Sequence, residues 1–328
     1  MDLSKVKNAL VIIIDGLGDC VISTSFIREL KKNLREINLD ILVNKEHSSV
    51  FSNNPYINKI IEYKKDLSFA LLFLYKVRKL SYDLVIDLVG NPRTALVVLF
   101  LKARYKIGYS YRVRKYVYNI RIKADRSLPC DKYHLSILKD LGFTINSTDF
   151  ELFPTQEEEK YVKSLGINNK KNVICINPGA GFPSKRWEYY PQLINLLIKK
   201  YKVLILLIKG PNDSYTQNIA KEFLGRKEVK VADSLSFGQL FFLFKQAKLL
   251  IGNDSGIKYI ACAAGLPTLT IFGPTEAKTA TPTYGKHFYI NSNIVCSPCN
   301  KTRCSHKTCL RLIKPQDVID YLEKIEIL

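Results

Sequence analysis

The stretch Ala9-Leu10-Val11-Ile12-Ile13-Ile14-Asp15-Gly16-Leu17-Gly18-Asp19 decides the fold. Its opening apolar run has no polar break, which marks a strand buried on both faces rather than one alternating between core and water. A carboxylate and two glycines end the run, and an amphipathic segment over residues 21–34 follows. Buried strand, glycine turn and helix make the first half of a βαβ unit, so a parallel sheet covered by helices is predicted. The run falls well short of the roughly 18 apolar residues that cross a bilayer, and no cleavage-like region follows it. It reads as a core strand of a cytoplasmic protein.

Outward from there the same grammar repeats. Further strands are predicted at 40–43, 59–63, 83–88, 106–109 and 116–122, with a helix at 67–80 between two of them. Residues 142–171 break the alternation with Asn146, Ser147, Thr148, Pro154 and a polar run at 156–160, as an interdomain boundary does. The pattern then restarts. Strands are predicted at 173–176, 203–208, 229–231, 249–251 and 268–272, and helices at 187–200, 215–224, 237–245, 256–264 and 315–325. A chain of 328 residues, 47% hydrophobic and 24% charged, is long enough for two such cores. The expectation is an α/β protein with a doubly wound domain over 1–150, a connection over 151–171 and a second doubly wound domain over 172–328.

In open parallel sheets, ligands bind beyond the carboxyl ends of the strands. The loop after the first strand carries Gly18 and Asp19, but Val21 stands where the dinucleotide fingerprint has its third glycine. Asp19 has two readings, a general base for a hydroxyl or a helix N-cap. A carboxylate repels phosphate, so a phosphate site is expected elsewhere. Three loops of the second half supply it. The first is Asn177-Pro178-Gly179-Ala180-Gly181-Phe182-Pro183-Ser184-Lys185-Arg186-Trp187, with small residues that expose backbone N–H groups and two cations at an expected helix start. The second is Gly252-Asn253-Asp254-Ser255-Gly256, where Ser255 suits phosphate and Asp254 suits sugar hydroxyls, or where either is a plain cap. The third is Phe272-Gly273-Pro274-Thr275, which adds a hydroxyl.

Together, Gly18-Asp19, Asn177-Pro178-Gly179, Lys185-Arg186-Trp187, Asp254-Ser255-Gly256 and Phe272-Gly273-Pro274-Thr275 resemble glycosyltransferase family 9, the heptosyltransferases of lipopolysaccharide core synthesis. The resemblance implies a GT-B fold, two Rossmann-like domains facing a cleft, inversion at the anomeric carbon and no metal required for catalysis. It implies Asp19 as the catalytic base and Lys185 as the cation on the donor diphosphate. Ala180, Gly181, Ser255, Gly256 and Thr275 would line the phosphates, Asp254 and Tyr259 the donor sugar, and Leu235 the nucleotide base. The sequence departs from the family at Tyr259, where a histidine is usual, at Ile13, where a basic residue is common, and at Ala180 and Gly181, where hydroxyl residues are common. The donor sugar is therefore left open between a heptose and a related sugar.

The net charge of +20 predicts a polyanionic partner, or else reflects lysine-rich composition. Basic residues concentrate over 102–126, with Arg112, Arg114 and Lys115 among nine against the single acid Asp125, and five tyrosines are interleaved. With Gly18 and Arg93 they form the expected contact to an anionic glycolipid and to the inner membrane face. Basic residues among aromatics also suit single-stranded nucleic acid, which gives the alternative of a polyanion-binding protein on an inactive transferase-like fold. Cys296, Cys299, Cys304 and Cys309 lie close together with His306 alongside, a set that fits structural zinc, reduced thiols or reversible disulfides. An oxidoreductase or epimerase on a Rossmann fold is disfavoured by the missing glycine and the lack of a Tyr-x3-Lys pair beside a dinucleotide site.

Overall fold

The computed structural model describes residues 2–64, 73–167 and 173–328, and for Arg112 the backbone alone. The chain divides into two compact units, Met1–Phe153 and Pro154–Leu328. The first holds strands β1 (Asn8–Ile13), β2 (Asn38–Asn44), β3 (Lys59–Tyr63), β4 (Ser81–Asp87), β5 (Lys102–Tyr109) and β6 (Ile120–Ile122) in the order β3-β2-β1-β4-β5-β6. The second holds β7 (Val173–Asn177), β8 (Leu204–Lys209), β9 (Val229–Asp233), β10 (Leu249–Asn253), β11 (Thr268–Ile271) and β12 (His287–Ile290) in the order β12-β11-β10-β7-β8-β9. Every pairing is parallel. Counted within its own unit, each sheet has the same doubly wound order, with the reversal between β1 and β4 in one and between β7 and β10 in the other.

The central strands explain the apolar runs. In β7 and β10 every residue is buried, and in β1 all but Asn8 are, since helices cover both faces. In the first unit Leu10, Ile12, Val85, Val97, Val98 and Tyr118 share one core; in the second Ile174, Ile176, Ile251 and Leu269 pack with Trp187 and Tyr190. Trp187 is fully buried and its indole N–H donates to the Ile313 carbonyl at 2.9 Å. It anchors the loop after β7 to the core, with Ser184 buried and Lys185 and Arg186 partly exposed just before it.

Several expectations are corrected. The segment 151–171 is not a free connection. Glu151 N–H donates to Thr24 and buried Arg28 donates to the Ser147 and Asp149 carbonyls, which ties that end to the first unit. Residues Gln156–Ser164 form a helix of the second unit, closed by a Thr155–Glu158 capping box and packed on the helix Phe237–Lys245. Of the strand expected over 116–122 only β6 forms, because Arg112–Val117 coils as a short 3-10 turn. Strand β12 and the helix Pro92–Phe100 were not anticipated. The helix expected over 67–80 falls partly outside the described residues, and 73–77 are helical.

Candidate active site

At the switch point of the first unit, the loop after β1 is pinned from both neighbouring strands. Asn44, the last residue of β2, donates to the Asp15 carbonyl at 2.7 Å, and Asn91, just after β4, reaches the Ile14 carbonyl at 3.5 Å. Helix Leu17–Asn33 then starts with Gly16 as its N-cap, without a side-chain capping bond. Gly18 and Asp19 are the second and third helical residues, so Asp19 is not the cap that its position suggested. It lies half-buried in the first turn, where acidic side chains suit the helix dipole, with its carboxylate folded back over Gly16. A different carboxylate does the structural work nearby. Asp87, at the end of β4, accepts from Val89 N–H, Gly90 N–H and the Tyr118 hydroxyl, and burial pushes its carboxyl up against those bonds.

The second unit builds a denser site between β7 and β10. Asn177, closing β7, donates to the Ser255 hydroxyl at 2.7 Å. Asn253, closing β10, accepts from Trp187 N–H at 3.1 Å and donates to the Pro178 carbonyl. These two amides cross-tie the loops that carry the candidate phosphate residues. A cavity of about 280 Å³ opens there, lined among others by Gly179, Ala180, Gly181, Arg186 and Ser255. Thr275 Oγ1 and Arg186 Nε are buried without a hydrogen-bond partner among the described residues, although such atoms normally have one.

Asp254 sits between two lysines. Lys185 Nζ is 2.6 Å from Oδ2 and Lys258 Nζ is 2.5 Å from Oδ1. Burial alone would push the Asp254 carboxyl up, but the lysines outweigh it and hold it well below the usual carboxylate range. Asp254 is therefore an anion at neutral pH, and neither it nor Ser255 is a cap, since Gly256 caps the helix Ile257–Ala263 without a side-chain bond. Lys185 ends a 3-10 turn, Pro183–Lys185, and the next helix begins only at Tyr190. The helix start expected beside Lys185 and Arg186 is thus absent, and Asp254 rather than a helix dipole is what fixes Lys185.

Gly179 is required by crowding. A Cβ there would lie 2.5 Å from Asp213 Oδ2, and that carboxylate already caps the helix Ser214–Lys221 through Thr216. Overpacking of this kind costs about 1–3 kcal/mol. Gly179→Ala is expected to lower the melting temperature by about 3–8 °C in a thermal scan.

A family model described as glycosyltransferase family 9 (heptosyltransferase) matches residues 71–310. The chain belongs to this family. A curated relative named lipopolysaccharide heptosyltransferase 1, from Campylobacter coli, is 27% identical over 96% of this chain and 98% of its own. A solved family 9 glycosyltransferase from Veillonella parvula superposes with a TM-score of 0.83 at 20% identity, covering 99% of this chain and 98% of its own. The Escherichia coli ADP-heptose lipopolysaccharide heptosyltransferase II gives 0.76 at 21%, covering 97% and 98%. The fold is GT-B, and the chain is a glycosyltransferase.

The other expected site residues of the transferase are scattered more widely. Tyr259 is buried and its hydroxyl donates to the Ala280 carbonyl at 2.9 Å. Leu235 is half-buried beyond β9, just before the helix Phe237–Lys245. Arg93 is exposed on the helix Pro92–Phe100. Of the five interleaved tyrosines, Tyr109 and Tyr118 are core residues, so the aromatic surface is smaller than expected. Arg114 and Arg126 lie near the Tyr111 ring and Lys115 and Arg121 near that of Tyr116, which is still 67% exposed.

The cysteine loop braces the loops that follow β7 and β11. Cys299 N–H donates to the Pro274 carbonyl, and Ser184, beside Lys185, donates to the Lys301 carbonyl at 2.7 Å. The four thiols are free and run from exposed Cys296 and Cys299 to buried Cys309, whose thiol is pushed up by burial and by the other three. Among the described residues no group of three or more histidine, cysteine or carboxylate side chains is set to hold a metal ion.

Sequence reasoning missed Asn177, Asn253 and Lys258. Lys258 lies in the first turn of the helix Ile257–Ala263 and reaches back to Asp254 in the loop before it, a contact across the helix start that the spacing of four does not by itself announce. The cross-tie by two asparagines has no local signature.

Proposed function

We propose that this transferase moves a heptose or related sugar from a nucleoside diphosphate donor to a lipopolysaccharide-core or similar anionic glycolipid, with inversion. The observation that carries the reading is the Lys185–Asp254–Lys258 cluster, buried but for Lys185, whose surplus positive charge lies at the switch point of the second sheet. A diphosphate leaving group gathers negative charge as its bond to the anomeric carbon breaks, and prepositioned cations and N–H groups stabilise it. Lys185, the backbone at Ala180, Gly181 and Gly256, and the hydroxyls of Ser255 and Thr275 are the groups for that task. Asp19 takes the proton of the attacking acceptor hydroxyl. One C–O bond forms as the other breaks, the diphosphate leaves with its electron pair, and a single displacement inverts the centre. The names of the Campylobacter and Escherichia relatives support heptose as the sugar and ADP as the carrier.

The test is a transfer assay with a panel of nucleotide sugars and a lipopolysaccharide-core acceptor. Transfer from a nucleoside diphosphate heptose is expected. Failure of every nucleoside diphosphate sugar to react would sink the reading.

We further propose that the transferase works as a peripheral protein at the inner membrane face. No helix among the described residues is long and apolar enough to cross a membrane. Helix Pro92–Phe100 buries Val97 and Val98 and turns Leu96, Leu99 and Phe100 outward. It packs against the turn Arg112–Val117, where Val113 is 76% and Tyr116 67% exposed beside Lys115. Apolar tips among cations suit an anionic bilayer, at about 1 kcal/mol per cation near the surface. The double variant Leu99→Asp/Val113→Asp should lose most cosedimentation with phosphatidylglycerol vesicles at unchanged melting temperature. Equal pelleting with neutral phosphatidylcholine vesicles would count against this placement.

A further inference from the structure

The cluster around Asp254 holds one cation more than it needs. Two lysines against one carboxylate leave a charge of +1 in a pocket where the side chains of Asp254 and Lys258 are 10% and 5% exposed. The lysines are not equivalent. Lys258 rises from the helix Ile257–Ala263 and its ammonium lies 4.5 Å from the Phe272 ring centre and 4.8 Å from that of Tyr259, so it is enclosed. Lys185 stands on a loop turn and is 22% exposed. Both oxygens of Asp254 are occupied, Oδ1 by Lys258 and Oδ2 by Lys185.

We propose that Lys258 is a positioning residue that neutralises Asp254 permanently, so that Lys185 is released to the donor diphosphate and Asp254 Oδ2 to the donor sugar. A buried carboxylate stripped of its only counter-ion is strongly penalised. With Lys258 in place, Lys185 leaves Asp254 for phosphate while a neutral pair stays behind. Without it, Lys185 is the sole partner of Asp254 and the diphosphate must compete for it. The same exchange vacates Oδ2, which becomes an acceptor for a sugar hydroxyl. One lysine is thus a fixed counter-ion and the other a mobile one. The inference rests on the reading above that Lys185 meets the diphosphate.

The experiment measures ADP binding by titration calorimetry, because ADP reports the diphosphate without the sugar. Lys258→Met keeps the stem and removes the charge, and should weaken ADP about thirtyfold or more, the scale on which stranding a buried charge acts. In Lys258→Met/Asp254→Asn the anion that traps Lys185 is gone, and affinity should return to within about threefold of wild type, as expected when two mutations cancel through one contact. A role of Lys258 in packing alone would not be rescued by removing Asp254, and a role in stability alone would move the melting temperature without moving ADP affinity. Unchanged ADP affinity in Lys258→Met overturns the proposal, and so does a double variant as weak as the single one. If Lys258→Met does not fold, the double variant, which carries neither charge, still decides: near wild-type affinity supports the proposal and loss of binding overturns it. If the wild-type protein binds no nucleoside diphosphate, the donor reading fails instead, and that outcome is seen before any variant is made.

Discussion

Asp19→Asn is expected to lower the turnover number for transfer by about 10²–10⁴, the range that general-base catalysis contributes. ADP affinity should stay within about twofold, since the groups proposed for the phosphates all belong to the second unit. Asp19 is not used as the N-cap, because Gly16 holds that position. The loop before it is fastened by Asn44 and Asn91 from flanking segments, which fixes where the first helical turn begins. Asp19 is thus held half-buried in the first turn of the helix that follows the central strand, and this is the carboxylate proposed above to take the acceptor proton. The asparagine isostere keeps the size and one acceptor oxygen but is not basic. Near-normal turnover by Asp19→Asn removes Asp19 from the chemistry, and the base must then be sought among other groups of the first unit.

Much of this was legible because buried parallel strands write themselves as unbroken apolar runs. Strand β10 and strand β7 have every residue buried, and the runs 249–251 and 173–176 found them to within a residue or two. Strand β12 escaped because all four of its residues are half-buried at the sheet edge, so no continuous run marks it. The helix Gln156–Ser164 was read as connection because only Val162 of it is buried, although the Thr155–Glu158 capping box was there to be seen. Helix Pro92–Phe100 likewise announced itself through Asn91 as N-cap and Pro92 at its first position. The site was legible as loop chemistry and opaque as partnership. Asp254 and Lys185 were each visible, but nothing in a sequence separation of 69 residues says that they touch. Nor does composition say that Tyr109 and Tyr118 belong to the core while Tyr116 faces water.

Lys185→Met is expected to weaken ADP about 10- to 100-fold and to lower the turnover number by about 10²–10³, the scale seen when one preorganised charge-stabilising donor is removed. The folded state should hardly notice, with the melting temperature within about 3 °C of wild type, because such a shift corresponds to about 1 kcal/mol or less. That separation follows from the cluster. Removing Lys185 leaves Asp254 with Lys258 at 2.5 Å, so no buried anion is stranded and the loop keeps its bond from Ser184 to the Lys301 carbonyl. Trp187 still anchors the following residues through Ile313. The lost quantity is the Lys185 ammonium on the outer side of Asp254, which is 22% exposed and is proposed above to meet the diphosphate. Binding and turnover should fall together, since the charge on the diphosphate is present in the bound donor and grows as the glycosidic bond breaks. Calorimetry with ADP, a transfer assay and a thermal scan on the same preparation read all three. A variant that melts far below wild type makes Lys185 a structural ion-pair partner, and one that binds ADP normally removes it from the diphosphate.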